Sequence, residues 1–491
     1  MAVQVDPADS VATLLDDARA GDRLDVAGKV VTLANDVGRG HKVALVALAA
    51  DDAVVKYGFP IGVARLPIAI GEHVHSHNLA TGLGGMLDYR YEPAATRRTE
   101  AAPDRATFQG YVRSDGRVGT RNEIWVLPTV GCVARTAERI ALRSAETVAG
   151  QVDGVYAFAH PHGCSQLGDD LGGTRSILAS LACHPNAGGV LIVGLGCEEN
   201  QLAQLMAEIP AWRHGAIRTL VAQTSVDEVA EGCALVAELS AQALTPRTAV
   251  GLGSLVLGVK CGGSDGLSGL TANPLVGRIS DRVAAAGGRV VATEIPEMFG
   301  AEHTLMNRAA DVDVFDAIVG VVNGFKRYFI DHGEPVSENP SPGNVAGGIT
   351  TLEEKSLGAV QKAGRAPVAA VIGYGRRVAQ AGLTILEAPG NDAVSSTALV
   401  AAGATVILFT TGRGTPMGFP VPTVKIASNS DLAARKPGWI DFDAGTVLAD
   451  GFEHTTDALL ARICAVASGE ETAAERNGER EIAIWKRGVT L

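Results

Sequence analysis

Residues 187–208 read AGGVLIVGLGCEENQLAQLMAE, an unbroken apolar run, a glycine-bearing turn, and then apolar positions returning at helical spacing. A run that is apolar on both faces suits a strand buried within a parallel sheet, and the amphipathic segment after it suits the crossover such a sheet requires. The same phrase is spelled upstream in EIWVLP followed by ARTAERIALRSAETVAG, and in GVYAFAH followed by GGTRSILASLA. Downstream it returns in GSLVLGVK, PLVGRISDRVAAAG and RVVATEI, and later in PVAAVIGYG and ATVILFTTG. Successive strand–helix units predict a multidomain α/β chain built on mainly parallel sheets.

Towards the N-terminus the pattern changes. From about Val30 to Leu79 short β-rich runs (KVVTLAND, HKVALVALA, VVKYGFPIGVA) are broken by Gly, Asp and Pro without a helical period, which predicts a small all-β module. YEPAATRRTEAAPDRATFQG is rich in Pro, Ala and charge and reads as a linker. The resulting division is an all-β unit over 1–95, a linker over 96–108, a middle α/β unit over 109–245 and a C-terminal unit over 246–491. A chain of 491 residues exceeds what one hydrophobic core sustains, which agrees with three units. The polar, Pro-rich stretch from Gly324 to Gly348 reads as a loop or lid.

The net charge of −12 and pI near 5.4 exclude a nucleic-acid binder. No signal peptide or membrane span is legible, so a cytoplasmic protein without membrane partners is expected. Of the seven Cys, four sit beside Gly in turn-like contexts, which in a reducing compartment points to metal or catalytic chemistry rather than disulfides.

Those four are Cys132, Cys164, Cys197 and Cys261, each just past an expected strand, where a parallel sheet lines its ligand crevice. They suit either soft ligation of iron or an iron–sulfur cluster, or loop ends around a metal held mainly by carboxylate and imidazole; unligated thiols in tight turns are the plain alternative. In GEHVHSHNL, His73, His75 and His77 recur every second residue, so an extended backbone turns them to one face, with Asn78 following. GYVRSDGRVGTRN offers Arg117, Arg121 and Asn122, and LFTTGRGTPMG offers Arg413, guanidinium forks suited to a carboxylate. HPHGCSQLGDD adds His162, and Glu294 ends the strand RVVAT, where a basic or metal-binding carboxylate is well placed. Thr351 and Glu354 form a capping-box pattern.

GEHVHSHNL, GYVRSDGRVGTRN, HPHGCSQLG, GVLIVGLGCEEN, KCGGSDGLSGLTANP, GGITTLEEKSLG, EAPGND and LFTTGRGTP, in this order, resemble the altronate/galactarate dehydratase family. The resemblance implies a β-clip (SAF-type) N-terminal domain, a middle domain used in a homodimer, and a C-terminal Rossmann-like variant with a metal site. It implies a hydro-lyase that converts a sugar acid, D-altronate first, to its 2-keto-3-deoxy acid, using Fe2+ (or Mn2+, or an iron–sulfur cluster). Under it His75, His162 and Glu294 are expected to be catalytic. His73, His77, Asn78, Arg117, Arg121, Asn122 and Arg413 are expected to bind substrate, and the four Cys to lie at the metal. A galactarate dehydratase and a non-catalytic sugar-acid binder are the alternatives.

Overall fold

A computed structural model describes residues 1–93 and 105–491. The expected linker therefore falls, over 96–104, outside the described residues, and its last two positions already belong to the strand Thr107–Val112.

The short N-terminal runs form antiparallel ladders because each is too brief for a crossover and is closed by a turn. One four-stranded sheet runs Ala2–Val3, Val11–Leu14, Lys42–Ala44, His73–Val74, and a three-stranded one runs Ala53–Lys56, Phe59–Ala64, Leu79–Ala80. Their aliphatic cores are small, and one of them takes in Ala301 and Leu357 from the C-terminal part.

The run quoted at the outset forms the strand Ala187–Gly194, buried nearly throughout, in a four-stranded parallel sheet ordered Gly154–Ala157, Glu123–Pro128, Ala187–Gly194, Ile217–Val221. The chain leaves Glu123–Pro128 to one side and returns on the other, so the sheet's order reverses between Glu123–Pro128 and Ala187–Gly194. A second parallel sheet has seven strands, ordered Val368–Ile372, Gly382–Leu386, Arg289–Ala292, Val256–Cys261, Val406–Thr411, Thr423–Ala427, Phe442–Asp443. Its order reverses between Val256–Cys261 and Val406–Thr411. At such a reversal the crossovers lie on opposite faces and leave a crevice beyond the strands' carboxyl ends.

The two α/β units share a core. Trp125, Leu127 and Ile192 of the first sheet lie in one apolar cluster with Phe409 of the second and with Leu399 and Phe419 from the segments flanking its strands. Arg480 crosses the same boundary to Glu123, at 2.8 Å.

The stretch Gly324–Gly348 is not one loop. The helix Val312–Asp331 runs through its first third, because Val314, Phe315, Ile318, Val322 and Phe325 give that segment an apolar stripe, and Pro342–Ala346 forms a short helix near its end.

Candidate functional site

His73 lies in the strand that pairs with Lys42–Ala44, with Val43 opposite His73 and Lys42 opposite Val74. Continuing that ladder sets His41 across from His75, and the four rings of His41, His73, His75 and His77 gather with centroids between 5.0 and 5.6 Å apart. His41 Nδ1 and His73 Nε2 are 3.1 Å apart, so one donates to the other. Asn78, expected to bind substrate, is buried and ties the turn instead, accepting from the His75 amide and donating to the His73 carbonyl.

Burial and the neighbouring imidazoles lower His73 to about 4, and burial together with the Lys42 charge lowers His41 and His75. His41, His73 and His75 are therefore neutral near pH 7, able to accept a proton or bind a cation. His75 Nε2 faces the Val345 carbonyl at 3.1 Å; a carbonyl only accepts, so Nε2 carries the proton and Nδ1 keeps its lone pair.

This contact belongs to a seam between the N-terminal module and the crevice of the seven-stranded sheet. A Cβ on Gly266 would stand 1.9 Å from the Gly40 carbonyl oxygen, so only glycine permits the backbones to meet. Lys42 Nζ donates to Gly348 O, Thr350 Oγ1 and Glu354 Oε2 at 2.8–2.9 Å, and Lys56 Nζ reaches Glu354 Oε1 at 2.8 Å. Both lysines and the carboxylate are fully buried. Burial alone would raise the Glu354 pKa, but the two ammonium groups outweigh it and bring it to about 2; burial dominates at Lys42, lowering it to about 8. Thr351 does cap its helix, accepting from the Glu354 amide, but the Glu354 side chain turns to the lysines and to the Thr350 amide rather than closing the expected box.

Across the seam lies the crevice. Asp265 accepts from Ser268 Oγ, Ser428 Oγ, Asn429 Nδ2 and the Leu267 amide at 2.8–3.2 Å, and a Cβ on Gly412 would meet its carboxylate. The Arg413 and Gly412 amides both donate to the Gly263 carbonyl, zipping together the loops that follow the two central strands. Arg413 itself is exposed, and among the described residues no carboxylate pairs with it.

Beside this crevice is an ionic lock. Glu294 is buried in a left-handed conformation (φ 68°), bonded to Lys260 and, at 2.8 Å, to Lys362. Lys362 also donates to Cys261 Sγ at 2.9 Å, and Lys260 reaches the half-exposed Asp392 at 2.6 Å. Burial would raise the Glu294 pKa, but the lysines hold it below the usual carboxylate range, and burial raises the Cys261 thiol. A carboxylate so firmly ionised and enclosed is a poor base, and a neutral thiol is a poor metal ligand.

Other expected residues lie elsewhere. Arg121 donates to Glu475 through Nε and Nη2 and to the Thr120, Val466 and Glu470 carbonyls, leaving no donor for a ligand. Asn122 is buried between Arg113 and the Ala243 carbonyl. These two pack the units together, correcting the expectation that they hold substrate. Arg117 pairs with Asp115 at 2.7 Å and lies over Trp212 at the surface of the middle unit. His162, lowered by burial, and Cys132, Cys164 and Cys197 lie on loops of the four-stranded sheet. The four thiols therefore do not form one group. Among the described residues no three His, Cys, Asp or Glu side chains stand ready to hold a single metal ion.

His41, Lys42, Lys56 and Asp392 were not singled out from sequence, and Glu354 was read only as part of a helix cap. His41 carries no spacing signal, since it lies 32 residues from His73, and only strand pairing brings them together.

Residues 1–82 match the altronate/galactarate dehydratase SAF domain, 110–244 the second domain of D-galactarate dehydratase/altronate hydrolase, and 252–490 the D-galactarate/altronate dehydratase C-terminal domain. The chain is 47% identical over 494 residues to an altronate dehydratase of Bacillus subtilis (strain 168), and 48% identical over 494 residues to one of Escherichia coli (strain K12). Both alignments cover 100% of this chain and 99% of the relative. A galactarate dehydratase (L-threo-forming) of Escherichia coli (strain K12) is 33% identical, over 96% of this chain and 93% of that protein.

Proposed function

The chain belongs to the altronate/galactarate dehydratase family, and from that premise we propose that it dehydrates a sugar acid, D-altronate, to the 2-keto-3-deoxy acid in the crevice beneath the histidine cluster. The hydro-lyase class follows from whole-chain similarity to altronate dehydratases, and the choice of altronate over galactarate rests on identities of 47–48% against 33%. The observation that carries the site is the docking of the histidine-bearing module, through Gly40 on Gly266 and His75 on Val345, onto the loops beyond the point where the sheet's order reverses.

Elimination removes the C2 proton and the C3 hydroxyl, and the enol formed becomes the 2-keto acid. In this reading Arg413 binds the carboxylate through paired N–H donors. His75, oriented by Val345, receives the C2 proton at Nδ1 and, as the imidazolium so formed, passes it to the departing C3 hydroxyl, while the hydrogen-bonded His41–His73 pair packs beside its ring. Asp265 fixes the two loops through Ser428 and Asn429 and so positions Arg413. A divalent cation, Fe2+ in our reading, would supply Lewis-acid polarisation of the substrate carboxylate. Because no three-donor set stands ready for a single ion among the described residues, no step is assigned to it.

We read the C-terminal unit as a Rossmann-like variant and the middle unit as the contact surface of a homodimer. The enzyme in this reading is cytoplasmic and has neither nucleic-acid nor membrane partners; no helix among the described residues is long and apolar enough to cross a membrane. The test is anaerobic incubation with ferrous iron and, separately, altronate, galactarate, mannonate and sulfolactate, followed by assay of 2-keto acid. Altronate alone is expected to give rapid product. Protection of the fold by altronate without keto acid would make the chain a binding protein and end the catalytic reading.

A further inference from the structure

Residues 113–117 form a tight turn between the antiparallel strands Thr107–Val112 and Val118–Gly119. The Arg113 amide donates to the Arg117 carbonyl at 2.8 Å and the Gly116 amide to the Arg113 carbonyl at 2.9 Å, so two arginines leave from one short turn. A Cβ on Gly119 would stand 2.4 Å from the Pro185 carbonyl oxygen, and this close approach brings the turn to the start of the strand Ala187–Gly194. Residues 211–216, just before the strand Ile217–Val221, carry Trp212 and Arg213 to the same place. Here Arg113, Arg117, Trp212 and Arg213 line a cavity of about 250 Å3. It opens at the amino-terminal ends of the parallel strands, the opposite end of the sheet from the cysteine-bearing loops.

The guanidinium groups are held in place by neutral acceptors. Arg213, 7% exposed, donates from Nε to the Ala182 carbonyl at 2.8 Å and from Nη2 to the Ala187 carbonyl at 2.7 Å. Arg113 donates to the Pro185 and Arg121 carbonyls and to Asn122 Oδ1 at 2.7–3.2 Å. Arg117 lies over the Trp212 ring at 5.0 Å, and its Nε donates to Asp115 at 2.7 Å. Among the described residues Arg213 Nη1 and both terminal nitrogens of Arg117 have no hydrogen-bond partner.

The charges do not balance. Asp115 is the one carboxylate that lines the cavity, so three guanidinium groups less one carboxylate leave two positive charges. Carbonyl and amide oxygens orient a guanidinium but cancel no net charge, and a buried cation without a counter-ion is costly. The crowding is visible in the acidities. Burial, and after it the Arg213 charge, brings Arg113 down to about 10; burial, with the Arg117 charge adding to it, brings Arg213 down to about 10. Both stay cationic at neutral pH.

We propose that this cavity binds a small dianion by its phosphate group, which takes the unpartnered N–H groups of Arg117 and Arg213 and neutralises the two uncompensated charges. A phosphate presents acceptor oxygens in a tetrahedral array, so forks arriving from two separate elements can each engage it, whereas a carboxylate offers a single plane. The volume falls short of the roughly 300–1,000 Å3 of sites for drug-sized ligands, which restricts the occupant to free phosphate or a short phosphate monoester. The site is separate from the sugar-acid crevice and does not rest on which acid is dehydrated.

The experiment is titration calorimetry and thermal unfolding of the full chain with inorganic phosphate and with glycerol 3-phosphate, each against sodium chloride of equal ionic strength. Saturable binding and a raised unfolding temperature are expected, and the tighter of the two probes identifies the free ion or the monoester as the source. Arg117→Gln should weaken binding about ten- to a hundredfold, the loss of a charge-assisted hydrogen bond. Arg117 and Asp115 form a partly exposed pair, so the ligand-free variant should unfold close to the parent temperature, which separates loss of binding from loss of fold. Ser114→Asp, which adds a carboxylate to the cavity lining, should weaken binding by repulsion, while Arg413→Gln should leave it intact. No response beyond that of sodium chloride would overturn the proposal. So would parent-like binding by Arg117→Gln, or loss of binding in Arg413→Gln alone, which would move the phosphate to the crevice.

Discussion

Glu354→Gln should detach the N-terminal module from the crevice without unfolding either part. The carboxylate is the only anion among the described groups bonded to Lys42 and Lys56, and both ammonium groups are buried. Removing one partner of a buried ion pair costs about 3–5 kcal/mol, because the remaining charge is neither solvated nor paired. Lys42 keeps Gly348 O and Thr350 Oγ1, so the lower end applies, about 3 kcal/mol. At roughly 1.4 kcal/mol per decade, that weakens the seam by about a hundredfold. Calorimetry should show a new low-temperature transition, and kcat/KM for keto-acid formation should fall as the histidine cluster leaves the loops at Val345 and Gly266. Combining Lys42→Met, Lys56→Met and Glu354→Leu should recover much of the docking, since apolar groups of similar size often replace buried ion pairs at little cost. The parent Glu354 has a folded pKa near 2 against an ordinary 4.5, so its contribution is complete above 4.5 and is lost as the pH falls towards 2. A Glu354→Gln protein with the parent's single transition and full turnover would refute this account.

Gly266→Ala should weaken the same seam by about 1–3 kcal/mol or more, since its methyl would meet the Gly40 backbone, where no rotamer change gives relief. In contrast, Gly320→Ala, in a helix and with nothing within 4 Å of the new methyl, should stabilise by roughly 0.5–1 kcal/mol in thermal unfolding. Arg413→Lys keeps the charge but loses the paired donors, about 1.5–3 kcal/mol of a charged hydrogen bond, so kcat/KM should drop roughly ten- to a hundredfold. An unchanged kcat/KM would remove Arg413 from the site. The lowered pKa of His73 means that the folded protein binds fewer protons than the unfolded chain between about 4 and 6.5, so the cluster's contribution to stability falls as the pH drops through that window. The acidic limb of kcat/KM should lie there too, and His73→Gln should move it; a limb indifferent to His73, His75 and His41 would place the base elsewhere.

The sequence was legible where its signal is periodic. Ala187–Gly194 and its helix could be read from apolar spacing, because burial on both faces demands it of a central parallel strand. The His73, His75, His77 alternation could be read as rings turned to one face, and Arg413 as a residue just past a strand, because both signals are local. Arg121 and Glu294 misled for a reason common to both: a charged residue beside a turn looks the same in sequence whether it awaits a ligand or an internal partner. Their partners, Glu475 and Lys362, lie 354 and 68 residues away.

The sequence alone determined the strand–helix order, the change from β ladders to parallel sheets and the presence of thiols after strands, since each depends on neighbours a few positions apart. Which histidine joins the triplet, which lysines Glu354 neutralises, and that three cysteines share one rim while the fourth lies in another sheet were decided only by tertiary structure. Those outcomes depend on strand order and on backbones closing to contact at Gly40, Gly266 and Gly163, and no local pattern of residue types encodes a distance between segments hundreds of residues apart.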